Sequence, residues 1–102
     1  MDYRPNSTND GCCISAIVVL QKGECAAGHV VGDEVIFDGT SVQGKICIHA
    51  MYSLMPKVFA MMYGAEFPWL ADGDVSTHAC PDAENPVIFE VRRISEEQVE
   101  DR

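Results

Sequence analysis

Three cysteines in this chain each stand close to a histidine: Cys25 with His29, Cys47 with His49, and Cys80 with His78. Thiolate and imidazole are the donors that zinc or iron takes, and four of them close a tetrahedral site. A set of Cys25, His29, Cys47 and Cys80 would need three segments to converge: the loop after the first strand, the start of a helix, and the Cys80-Pro81-Asp82 turn. The spacing argues the other way. No C-x-x-C knuckle exists, and Cys25-x-x-x-His29 fits a ligand pair only loosely. Two positions apart near a helix start, Cys47 and His49 are expected to face different directions. The simpler expectation is reduced thiols packed as small hydrophobes, with no cofactor assumed.

Cys47 has a second reading. A helix beginning near Gly44 or Lys45 would place Cys47 in its first turn. There, unpaired N–H groups and the positive dipole end favour a thiolate, and Lys45 would add to the field. Such a cysteine is a candidate catalytic or redox-sensing residue, provided that His29 or His78 reaches it as a base. Phe67 and Trp69, with Asp82, are candidate binding residues. Phe67-Pro68-Trp69 could line a pocket or cap the core, and Asp82 and Asn85 are turn formers first. Nothing resembles a phosphate-binding loop, a dinucleotide fingerprint, a G-x-S-x-G elbow or an H-E-x-x-H helix.

The elements that would position these residues follow from periodicity. CCISAIVVLQ is apolar on both faces and reads as a central strand, with Cys12 and Cys13 pointing to opposite faces. EVIFD alternates, with Val35 and Phe37 on one face, so a half-buried strand fits. TSVQG reads as a short polar connection. From Lys45 to Gly64 the apolar period becomes helical through Ile46, Ala50, Leu54, Val58 and Met61, and methionines widen the stripe into core. Pro56 predicts a kink or a break there, and Gly64 a stop. VSTHA could form a short strand, and VIFEVRRI is the last, with Val87, Phe89 and Val91 on one face. The fold class is therefore α+β, a small and mostly antiparallel sheet packed against one Pro-kinked helix.

With 102 residues the chain is the size of one domain. Residues 12–95 form it, between a flexible polar leader (1–11) and an acidic tail (96–102). The net charge of −9 opposes nucleic-acid binding and docking on anionic lipid, and no apolar run is long enough to cross a bilayer. Without a hydrophobic signal core in the leader, a cytoplasmic protein is expected. An odd count of five cysteines fits reduced thiols better than a disulfide framework.

Four segments, KGECAAGHVVGDEVIFDG, GKICIHA, YGAEFPW and ACPDAENPVIFEVRRI, together resemble a family of small uncharacterised bacterial and archaeal proteins. The likeness covers residues 14 to 94. The family's pattern places cysteines at Cys25, Cys47 and Cys80, and has no counterpart for Cys12, Cys13 or the acidic tail. His49 stands where the family carries another residue, so it is a poor candidate for a shared role. The resemblance implies a common fold and a shared site, and no activity.

Three function classes follow. The first is a binding or self-associating module, a possible homo-oligomer using the Phe67 to Leu70 loop and a sheet edge. The second is a metal-binding protein using Cys25, His29, Cys47 and Cys80. The third is a thiol-based enzyme or redox sensor built on Cys47.

Overall fold

The computed structural model describes residues 13–25 and 27–94. The expected leader, Cys12 and the acidic tail lie outside the described residues. Strands β1 (Cys13–Gln21), β2 (Glu34–Phe37) and β3 (Val42–Gln43) precede helix α1 (Ile48–Met62), and β4 (Val75–Ala79) and β5 (Val87–Ile94) follow it. One five-stranded sheet has the order β3-β2-β1-β5-β4, and every pairing is antiparallel. The α+β expectation holds.

The position of β1 follows from its composition. It has two neighbours and two apolar faces, so it can only be central. Ile14, Ala16 and Val18 face the helix, while Cys13 joins Ile36 and Ile94 in a small cluster on the reverse. The register sets Ala16 between Val35 and Val91, which aligns the inward rows of three strands. Onto that row α1 lays Ala50, Leu54, Val58 and Met61, all essentially buried. Burying a side chain such as Leu54 or Phe89 stabilises the fold by about 1.5–3 kcal/mol. The methionines at 61 and 62 are core, as their spacing implied.

Two expectations need correction. TSVQG is not mere connection, because Val42 and Gln43 pair with Phe37 and Ile36 as a short edge strand. Asp38 shapes the intervening turn by accepting N–H bonds from Thr40 and Ser41. Those bonds, Thr40 first, hold its carboxyl down at about 2. The second correction concerns α1: of the kink or break expected at Pro56, the break does not occur, and the helix runs through it. Pro56 lies on the solvent side, where water can serve the carbonyl that the missing N–H would have bonded.

The helix ends as Gly64 predicted. With φ +96, Gly64 donates to Met61 O, and Ala65 N–H reaches Ala60 O, which together make a Schellman cap. Arg93 completes this end from β5. Its guanidinium bonds to the carbonyls of Met61, Ala65 and Gly73 and to the Asp74 carboxylate.

Candidate functional site: a cleft lined by three thiols

Cys25, Cys47 and Cys80 meet at one cleft of about 330 Å³, between the start of α1 and the loops following β1 and β4. His29, His49 and Asp82 also line it. Cys25, Cys47 and Cys80 form no disulfide, and each packs half-buried against the main core.

The loop carrying Cys25 is clamped to the turn after Cys80. Asp82 accepts the N–H groups of Glu84 and Asn85, so Cys80-Pro81-Asp82 is turn chemistry as expected. Asn85 Oδ1 then accepts the Glu24 N–H, and Lys22 N–H bonds to Pro86 O. This close approach requires Gly23. Its φ is +75, and a Cβ there would lie 2.0 Å from Asn85 Oδ1. Cys80 is fixed on its other side by Val87. The Cys80 N–H donates to Val87 O, and the Val87 N–H donates to Cys80 Sγ at 3.3 Å.

Cys47 sits one step earlier than its sequence reading. It is the residue before the first helical turn, with extended backbone (φ −61, ψ 136), and its carbonyl accepts Met51 N–H. Its side chain does not cap the helix, and the first turn holds no acidic residue. This geometry also overturns the expectation that Cys47 and His49 diverge. Helical spacing does not govern a residue outside the helix, and Cys47 Sγ lies 3.7 Å from His49 Nδ1.

His29 has a different duty from either one expected of it. It is 2% exposed, lies edge-on to Phe89, and its Nε2 accepts the Cys47 N–H at 3.1 Å. An N–H can only donate, so Nε2 carries the lone pair and the ring proton is on Nδ1, facing Asp33 Oδ2 at 3.4 Å. The contact to Asp33 is then a hydrogen bond of a neutral ring. As a metal ligand or a base for Cys47, His29 would have to give up its bond to the Cys47 N–H. Asp33 is held below the usual carboxylate range chiefly by the Val30 N–H, with partial desolvation opposing and His29 and Lys45 assisting. Lys45 therefore lies beside Asp33, and its ammonium comes near Gly28.

The remaining candidates lie elsewhere. His78 is on the far flank of α1, with Nε2 2.9 Å from Ser53 Oγ. Desolvation, and then the nearby Lys57 charge, lower its pKa. Phe67 stacks on Trp69 at 5.1 Å, with Phe67 turned to the core and Trp69 exposed. Neither lines the thiol cleft. Among the described residues, no group of three or more His, Cys, Asp or Glu side chains is arranged to hold a metal ion, and no helix is long and apolar enough to cross a membrane.

In comparisons with known proteins, no family model, curated protein or solved structure matches this chain.

Proposed function

We propose that the protein is a thiol-based redox module whose reactive sulfur is Cys47. One observation carries this reading. Three sulfurs from distant segments face a single cleft, and an imidazole stands beside one of them. Cys47 stands at the N-terminal end of α1, and His49 Nδ1, 3.7 Å from its sulfur, is placed to act as its base. A cleft of about 330 Å³ is at the small end of ligand sites and suits a small hydroperoxide.

The Cys47 thiolate attacks the outer oxygen of the peroxide, the O–O bond breaks, and the departing oxygen leaves protonated as water or alcohol. Cys47 becomes a sulfenic acid. A second thiol attacks its sulfur, an S–S bond forms, and the hydroxyl leaves as water. Two thiols lose two electrons and the peroxide gains two. Cys25 is taken as the partner because the sulfur of Cys80 already accepts the Val87 N–H. A thiol reductant of the kind found in a reducing cytoplasm would restore the pair. The net charge of −9 favours neither nucleic acid nor anionic lipid as the ligand.

The test is stoichiometric hydrogen peroxide on the reduced protein, followed by mapping of the modified sulfurs by mass spectrometry. The expected product is a Cys25–Cys47 disulfide, absent from Cys47→Ser and replaced in Cys25→Ser by a sulfenic acid trapped with dimedone. Indiscriminate oxidation of all the cysteines would overturn the proposal. One zinc bound per chain, lost in Cys25→Ser, Cys47→Ser and Cys80→Ser alike, would replace it with the metal reading.

A further inference from the structure

Helix α1 carries a second apolar face that the core does not use. Ile48, Tyr52 and Phe59 are 74%, 84% and 51% exposed, and with Met55 they follow the i, i+4, i+7, i+11 spacing of one stripe. Beside the stripe, Met51, Met55 and Phe59 form one wall of a groove of about 310 Å³, and Phe37 and Val42 belong to the other. Exposed single hydrophobes are ordinary, whereas a contiguous stripe next to an apolar groove marks an interaction surface.

We infer that this face binds a second copy of the same chain, as a two-fold dimer in which Tyr52 of each copy enters the groove of the other. Three observations choose that occupant. The face holds both a projecting ring and a groove large enough to take one, which is what an isologous contact needs. The chain has 16 acidic residues, yet none lies between Asp38 and Glu66, the segment containing α1 and β3. No acidic residue lines the groove itself, although Asp38 borders its Gly39–Ser41 wall, so two copies with net charge −9 can meet there without a carboxylate inside the contact. Taken at ~150–250 Å² each when fully exposed, Ile48, Tyr52 and Phe59 supply roughly 300–500 Å² per copy, so, with the groove walls they would cover, a pair approaches the ~1,000 Å² at which specific interfaces begin. The methionines in the groove wall can adjust to an entering ring.

The experiment is sedimentation equilibrium of the full chain over a concentration series, with excess reductant to remove intermolecular disulfides. The expected mass is twice the 11.2 kDa of one chain. Tyr52→Ser and Phe59→Glu should each weaken the dimer at least tenfold while leaving the circular dichroism unchanged. Tyr52→Ser adds no charge and alters a position that is mostly in solvent, so it guards against a folding artefact. A single-chain mass for the unmodified protein at every concentration would overturn the inference. A dimer that both variants leave intact would overturn it equally.

Discussion

The backbone N–H of Cys47 donates to Nε2 of His29 across 3.1 Å, tying the start of α1 to the loop before β2. This bond orients the residue on which the redox proposal rests, and it is made by a side chain that is almost wholly buried. His29→Ala should remove the acceptor, leave the N–H unsatisfied and open a cavity against Phe89. The expected loss is about 2–4 kcal/mol of unfolding free energy, read by urea denaturation. A loss below about 0.5 kcal/mol, the range of an ordinary surface change, would show that the link is dispensable.

Gly44 should tolerate no side chain. Its φ is +113, and a Cβ would stand 2.8 Å from the Glu34 carbonyl oxygen, which is strand backbone and cannot step aside. Gly39 has a similar φ of +105 but nothing within 4 Å. Gly39→Ala should therefore cost about 1 kcal/mol of backbone strain, and Gly44→Ala about 2–4 kcal/mol, strain and clash together. Equal denaturation midpoints for the two variants would contradict this.

Acidification should destabilise the fold in two separate windows. The folded-state pKa of His78 is lowered by desolvation and by Lys57, so the unfolded chain binds the proton more readily. Its contribution is complete above the unfolded value of about 6.5 and is lost as pH falls through the lower folded value. Asp33 and Asp38, also lowered, act only below about 4. Melting temperature should thus begin to fall as pH drops below about 6.5, and His78→Asn should flatten that first decline while sparing the one from the carboxylates. An unchanged first decline in the variant would assign it to another group.

Arg93→Leu should loosen the C-terminal end of α1 before anything else. The guanidinium satisfies carbonyls at Met61, Ala65 and Gly73, and these have no other charged donor among the described contacts. Losing charge-assisted bonds of this kind should cost about 2–4 kcal/mol. Amide exchange should accelerate most at residues 60 to 65. Uniform acceleration across β1 and β5 would point to global unfolding instead.

Much of the fold was legible because it depends on local pattern. The alternation in EVIF and VIFEVRRI reported inward faces correctly, and the apolar doubling of β1 reported its central place. Gly64 marked the helix end because only a positive φ allows that cap. The misreadings arose where a tertiary contact overrides local pattern. Val42 and Gln43 become a strand only because β2 offers an edge. Cys47 and His49 approach each other because the helix starts at Ile48, and no periodicity fixes a boundary to one residue. The convergence of the three thiols depends on Asn85 meeting Gly23 and Glu24, residues about 60 positions away. Their types hinted at turns and not at each other.

The pairing of β1 with β5 also governs how the molecule can assemble. Gln21 pairs with Val87 and Cys13 with Ile94, so everything from residue 22 to residue 86 lies inside the loop that this pairing closes. During synthesis β2 can dock early on one edge of β1, but the other edge must wait until residues 87 to 94 have emerged. Until then a strand rich in isoleucine and valine presents an open ladder of N–H and C=O groups, the kind of surface on which nascent chains aggregate. Closure of so long a loop carries a high entropic cost, and it is β5 that completes the ladder on the second edge of β1.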